Sequence, residues 1–166
     1  VTGVQTCALP ILLAGLFTLR ILAGAVAVDV RPSEWLLAFS MFIFTSLAMV
    51  KRCSELKTWS KMDKAWVAGR GYTVSDMQLL RSAGTASAFA AVLVFALYIS
   101  SPAVTLLYSR PQVLWIVCPI LMYWLTRIWF LTNRDKLLDD PVLFALTDRA
   151  SIACGILVGL LVAIAT

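Results

Sequence analysis

Five long stretches of this sequence contain almost no charge, and they decide what the chain can fold into. They lie at about residues 12–30, 34–50, 82–100, 111–131 and 150–166. A membrane-spanning helix needs about 20 mainly apolar residues, because the hydrocarbon core of a bilayer is about 30 Å thick. Each stretch has roughly this length. The sequence therefore predicts an all-α, polytopic bundle of about five transmembrane helices.

The composition excludes the main alternatives to a membrane protein. Hydrophobic residues make up 61% of the chain and charged residues 14%, whereas ordinary soluble domains are about 45–50% apolar and about 25% charged. The chain contains no histidine, which excludes histidine-ligated haem, histidine acid–base catalysis and His-ligated zinc. Its basic residues form no stripe of the kind that nucleic-acid-binding proteins carry, so we expect no nucleic-acid partner.

The first eleven residues differ in origin from the rest in our interpretation. They read VTGVQTCALPI, which is one translated frame of a common sequencing-library adapter. Segments of this kind are left out of fold reasoning. We therefore expect residues 1–11 to be an artefact and residues 12–166 to be the rear part of a gene that was cut at its 5′ side.

Lysine and arginine in the loops predict the orientation in the membrane. Cytoplasmic loops carry an excess of these residues. Segment 51–81 holds seven of them and segment 132–149 holds three, whereas the opposite side offers only Arg31 and Arg110. We therefore expect both segments to be cytoplasmic in a bacterial inner membrane, with the C-terminus outside.

Two residue patterns predict how the helices pack. In segment 51–81, apolar side chains recur at helical spacing between lysines, which is typical of an interfacial helix whose aromatic rings lie among lipid headgroups. These side chains are Leu56, Trp59, Met62 and Trp66.

Small residues predict close contacts between helices in lipid. They are Ala83, Gly84, Ser87, Ala88 and Ala91, and the GxxxG pair Gly155 and Gly159.

Two arginines lie inside the apolar stretches. Arg20 is near the middle of the first one, where insertion of an arginine costs about 2.5–3.5 kcal/mol. We expect it to face a polar cavity or a carboxylate partner. Arg127 lies closer to the cytoplasmic end of the fourth stretch. A functional role and simple snorkelling of its side chain to the interface explain it equally well.

Two charged clusters at the predicted cytoplasmic side are candidates for phosphate chemistry. Lys51, Arg52 and Glu55 follow the second stretch, and two cations beside a carboxylate can grip and orient a phosphate ester. Asp139 and Asp140 lie in a DxxxDD pattern that begins at Asp135, and paired carboxylates at this spacing are candidate Mg²⁺ ligands. The alternatives are membrane anchoring for the first cluster and a capped turn for the second.

Taken in order, several segments resemble the UbiA superfamily of intramembrane prenyltransferases. They are TLRILAGAVA (18–27), VKRCSEL (50–56), GRGYTVSDMQLLRSAG (69–84) and DDPVLFALTDR (139–149). The resemblance covers almost everything after Ile11 and matches the last five of the nine helices in that fold. KRCSEL stands where the superfamily usually has its second aspartate motif. This departure is similar to the branch that makes decaprenylphosphoryl-phosphoribose.

The resemblance implies a transferase that moves phosphoribose from phosphoribosyl diphosphate to a polyprenyl phosphate, with Mg²⁺ as cofactor and membrane lipids around it. By position it implies six residues that bind substrate: Arg20, Lys51, Arg52, Glu55, Arg70 and Arg127. The main Mg²⁺ ligands of the superfamily lie in an aspartate motif upstream of these five helices. The resemblance therefore implies that the chain alone is inactive.

Two alternatives stay open from the sequence. The chain can belong to an enzyme that transfers a prenyl group from a prenyl diphosphate to an aromatic or other acceptor. It can also belong to a non-enzymatic membrane transporter or scaffold, whose charges serve only as anchors and packing pairs.

Overall fold

The computed structural model describes residues 3–30, 32–61, 73–134 and 140–166, and within them it contains helices and no β-strand. The helices are α1 (Gly3–Ala27), α2 (Glu34–Lys61), α3 (Met77–Ile99), α4 (Pro102–Leu107), α5 (Val117–Asn133), α6 (Pro141–Thr147) and α7 (Arg149–Ala165). Short 3₁₀ helices at Val74–Asp76 and Pro111–Ile116 lead directly into α3 and α5. The predicted all-α class is confirmed.

Four helical segments are long and apolar enough to cross a membrane: Ala8–Ala27, Glu34–Thr58, Met77–Ile99 and Pro111–Asn133. A fifth candidate is the pair formed by α6 and α7, which is bent by 78° at its break. Large apolar side chains on the outside, such as Leu93 and Leu106 at 61% and 89% exposure, suit a lipid environment. These features confirm the prediction of about five spans, while the division at residue 11 stays a prediction.

The packed core lies where α2, α3 and α5 meet. It joins Val50 and Leu56 of α2 to Leu80 of α3 and to Ile128 and Trp129 of α5. Burying apolar side chains between helices gives the close-packed contacts that hold such a bundle together. We call this region the α2–α3–α5 seam.

Small residues of α3 allow this close approach. Gly84 faces the Trp129 ring so closely that an added Cβ would overlap it. Buried small neighbours continue the same stripe, at Ser87, Ala88 and Ala91. The predicted packing of this stripe is confirmed. Gly155 and Gly159 differ, because a Cβ on either would have no atom within 4 Å, so the predicted GxxxG contact is not made within the described residues.

The prediction of a separate interfacial helix in segment 51–81 is wrong at its beginning. Helix α2 continues without a break to Lys61. Leu56 is 1% exposed and belongs to the core, because α3 and α5 both pack against this last part of α2. Met62 and Trp66 lie outside the described residues.

The two ends of the bundle differ in polarity. At one end, Arg110 N donates to Ala165 O at 3.0 Å and Ser109 Oγ donates to Thr166 O at 3.0 Å. At the other end lie the C-terminal part of α2 from Lys51 onward, the end of α5 and the beginning of α3. Asp140, the N-cap of α6, lies there too. We call this second end the charged end. Segments 51–81 and 132–149, predicted to share a side, both begin there.

Candidate functional site

The first feature of the charged end is an ion pair between Lys51 Nζ and the Asp140 carboxylate. It joins α2 to the start of α6, where Asp140 also caps the helix by accepting a hydrogen bond from Val142 N at 3.0 Å. The hydrogen bond from Lys51 lowers the pKa of the Asp140 carboxyl below its usual value, and the bond from Val142 N acts in the same direction. The two side chains are 37% and 40% exposed. An anion from solution can therefore reach Lys51.

Arg52 is held differently. Its Nη1 donates to Glu55 Oε2 at 2.5 Å, one turn along α2, and the two side chains are 12% and 26% exposed. Arg52 Nε is buried and has no hydrogen-bond partner in the described part of the chain. Glu55 lies about one helical turn from both cations, but it pairs with Arg52, and Lys51 reaches across to Asp140 at the start of α6. The two adjacent cations thus have separate carboxylate partners.

A small cavity lies beside the Lys51–Asp140 pair. Its volume is about 100 Å³, and Leu13, Phe17 and Phe44 form part of its apolar wall. Ligand pockets usually measure about 300–1,000 Å³, so this cavity accepts only a short part of a ligand. The lining suits an amphipathic ligand, because the apolar wall meets a cation and a carboxylate at one edge of the cavity.

Arg127 is fully engaged by a carboxylate. Its Nη1 and Nη2 donate to Asp148 Oδ2 and Oδ1 at 2.6 and 3.0 Å, and its guanidinium lies 5.9 Å from the centre of the Phe144 ring. Asp148 caps α7 by accepting from Ser151 N at 2.9 Å, and Trp124 Nε1 donates to Ser151 Oγ at 3.0 Å. This network ties α5 to the bend between α6 and α7. Arg127 thus has a carboxylate partner. Snorkelling of its side chain to the interface, one of the two explanations that the sequence left open, is not needed to account for it.

Arg20 has a different environment from the one expected. It is exposed on α1, and its guanidinium lies 5.1 Å from the centre of the Phe17 ring. Phe17 in turn stacks on Phe44 of α2 at 4.9 Å. Within the described ranges Arg20 has no ion pair, so the expected carboxylate partner is not found there, and the structure does not bring Arg20 into the Lys51 cluster.

Two predicted site residues, Arg70 and Asp139, lie outside the described residues. Among the residues that the structure does describe, no group of three or more His, Cys, Asp or Glu side chains is placed to hold a metal. Asp140 already accepts from Lys51 and from Val142 N. No Mg²⁺ site is therefore assembled among the described residues, and the Mg²⁺ cofactor stays a prediction.

The sequence did not single out two cations that the fold uses at this end. Lys57 Nζ donates to Thr132 O and Asn133 O, both at 2.7 Å, and so binds the carbonyls at the end of α5, where a cation is favourable. Arg81 lines a second cavity between α3 and α5. In the sequence, Arg81 stands directly before the uncharged run 82–109.

Comparison with known proteins finds two curated relatives. The chain is 40% identical over 147 residues to the uncharacterized protein y4nM of Sinorhizobium fredii, which covers 88% of this chain and 28% of that protein. It is 32% identical over 153 residues to the nodulation protein NoeC of Azorhizobium caulinodans, which covers 89% of this chain and 49% of that protein. No family model matches the chain, and no solved structure matches it. The chain thus spans about half the length of one relative and less than a third of the other.

Proposed function

We propose that this chain is the membrane-embedded rear part of a UbiA-type transferase that moves phosphoribose from phosphoribosyl diphosphate to a polyprenyl phosphate. The observation that carries the proposal is the pair of adjacent cations, Lys51 and Arg52, at the charged end of an apolar bundle. Beside Lys51 an apolar cavity wall begins. This combination of cations and apolar wall suits a ligand that has a phosphate on a hydrocarbon chain.

In this proposal the reaction needs mainly positioning and neutralisation of charge. An oxygen of the lipid phosphate attacks the anomeric carbon of the ribose, the bond from that carbon to the diphosphate oxygen breaks, and diphosphate leaves with its electron pair. Lys51 and Arg52 bind phosphate oxygens, and Asp140 and Glu55 hold the two cations in place before substrate binds. Catalysis of this kind comes from orientation and fixed charges and requires neither histidine nor a nucleophilic cysteine.

The wider setting of the proposal comes from the lysines and arginines of the loops and from the resemblance to the UbiA superfamily. The segments at the charged end face the cytoplasm of a bacterial inner membrane, where phosphoribosyl diphosphate is a soluble substrate. In the superfamily that the chain resembles, the main Mg²⁺ ligands belong to an aspartate motif outside these five helices. The name of the relative NoeC describes a process and not a reaction, so it adds no substrate.

The test uses the longest reading frame that contains this chain, purified in detergent with Mg²⁺. Labelled phosphoribosyl diphosphate and decaprenyl phosphate are supplied, and transfer of label to lipid is measured. Lys51→Gln and Arg52→Gln are each expected to lower transfer at least tenfold, because each removes a charged hydrogen bond to phosphate. Arg149→Gln is the matched control. It removes the same charge from an exposed arginine at the same end, and transfer should be unchanged.

Each alternative gives a different result in the same assay. Transfer from a prenyl diphosphate to an aromatic acceptor, with none from phosphoribosyl diphosphate, would replace the proposal by the prenyltransferase alternative. No transfer in either assay by the complete, folded protein would favour the transporter or scaffold. Equal loss in Lys51→Gln and Arg149→Gln would show that general surface charge matters and that Lys51 is not a binding residue.

A further inference from the structure

A second cavity lies between α3 and α5, lined by different residues from those around the Lys51–Asp140 pair. It has a volume of about 330 Å³ and mainly apolar walls, to which Ala88, Val92 and Leu125 contribute. Phe89 and Phe130 also line it, and they are 51% and 56% exposed. The cavity is therefore a groove that opens sideways from the bundle, where the acyl chains of a surrounding bilayer would pack. We call it the α3–α5 groove.

Arg81 supplies the cation of this groove. Its Nε is buried and has no hydrogen-bond partner among the described residues. Its Nη2 lies 3.0 Å from Met77 Sδ, and a thioether is a weak acceptor. No carboxylate pairs with Arg81 in the described ranges, unlike Lys51, Arg52 and Arg127. A guanidinium has five donors in a fixed fork that matches phosphate, and among the described residues this one has no oxygen acceptor.

The polar and apolar parts of the groove lie in a definite order. Arg81 belongs to the second turn of α3, and Asn133 is the last residue of α5, so both lie at the charged end. Thr85, one turn further along α3, also lines the groove. Val92 lies deeper in the span. A ligand that follows this order has its anionic group at the charged end of the bundle and its apolar part toward the middle.

We propose that the α3–α5 groove binds an anionic phospholipid of the surrounding bilayer, with its phosphate on Arg81 and one acyl chain along the apolar walls. Basic pockets between membrane helices recognise anionic headgroups in this way. The apolar walls and the sideways opening favour a lipid over a soluble phosphate. The site is distinct from the proposed transferase site and does not depend on it, because it uses neither Lys51 nor Arg52.

Binding of defined lipids to the purified protein tests this proposal. Native mass spectrometry compares phosphatidylglycerol with phosphatidylcholine of the same acyl chains, and inorganic phosphate is added as a competitor. We expect the unmodified protein to prefer phosphatidylglycerol. Arg81→Gln should weaken that binding about tenfold, as expected for loss of a charged hydrogen bond. Arg149→Gln, which removes an exposed charge at the same end, should leave it unchanged.

A conservative variant keeps the test informative if Arg81→Gln does not fold. Arg81→Lys retains the charge but loses the fork of donors, so it should bind phosphatidylglycerol with intermediate affinity. Three results would overturn the proposal: equal binding of the two lipids by the unmodified protein, equal losses in Arg81→Gln and Arg149→Gln, or affinity unaltered in Arg81→Lys and Arg81→Gln alike. Displacement of the lipid by millimolar inorganic phosphate would instead identify a site for soluble phosphate and would also overturn the lipid assignment.

Discussion

The outer face of α1 and the side of α5 at the α2–α3–α5 seam give the same residue types very different surroundings. Each region has an arginine inside an apolar helix. Arg20, on α1, contacts the Phe17 ring and has no ion pair within the described residues. Arg127, on α5 beside the seam, has both of its terminal nitrogens on Asp148. Arg127 obtains its carboxylate because a second element of the fold, the bend between α6 and α7, packs against α5 and brings Asp148.

A glycine in each of the two regions shows the same difference, here in packing and not in charge. An added Cβ at Gly24 of α1 would meet nothing within 4 Å, whereas one at Gly84 would overlap the Trp129 ring. Residue type and the apolar character of the helix do not distinguish the two glycines in the sequence. Of the two, packing requires glycine at Gly84, because α5 places the ring of Trp129 there.

The largest expected effect comes from breaking the Arg127–Asp148 pair. Arg127→Met leaves the Asp148 carboxylate, at 16% exposure, without its cation. We expect the free energy of unfolding to fall by about 3 kcal/mol, the lower end for a broken buried pair. Unfolding in detergent, followed by tryptophan fluorescence, measures this change.

Arg20→Met is the matched control for that experiment. It removes the same charge from an exposed side chain, and the free energy of unfolding should change by less than about 0.5 kcal/mol. If the two variants are equally stable, the difference between the paired and the unpaired arginine has no energetic meaning.

A smaller effect is expected from enlarging Gly84. Gly84→Ala forces the Trp129 ring or the α3 backbone to move, and overpacking of this kind costs about 1–3 kcal/mol; we expect about 2 kcal/mol here. Gly24→Ala, measured by the same unfolding assay, should be neutral or slightly stabilising because alanine favours helix. A neutral Gly84→Ala would contradict the close contact at the seam.

The smallest effect concerns the exposed Lys51–Asp140 pair and appears as pH dependence. The pKa of Asp140 is lowered by Lys51, so the stabilisation is complete above the ordinary carboxyl pKa of about 3.9. It is lost as the pH falls through the lowered value. Because both side chains are more than a third exposed, the pair is worth less than about 1 kcal/mol.

Comparison of the unmodified protein with Asp140→Asn at pH 7 and pH 3 measures this contribution. The difference between the two free energies of unfolding should be present at pH 7 and should shrink at pH 3, since protonated aspartate resembles asparagine. A difference that stays constant between these pH values would contradict the assignment of this stability to the charge of Asp140.

The candidate site was predictable only in part, for a reason of range. Lys51, Arg52 and Glu55 are close in sequence, so the helical repeat of 3.6 residues was enough to group them. Their pairing was not predictable, because Glu55 is in reach of both cations and Asp140 lies 89 positions from Lys51. The position of Arg81 in a groove was not predictable, since a groove is formed by two helices and not by one.

The sequence by itself determined the class of fold and the number of candidate spans. The length of an apolar run is a local property, and it can be compared directly with the thickness of the hydrocarbon core of a bilayer. The sequence also marked the small-residue stripe of α3. Only the tertiary structure decided which stripe is used, since Gly84 is packed while Gly155 is open. It also decided that, within the described residues, Arg127 is paired and Arg20 is not, because the carboxylate of Asp148 comes from a distant part of the chain.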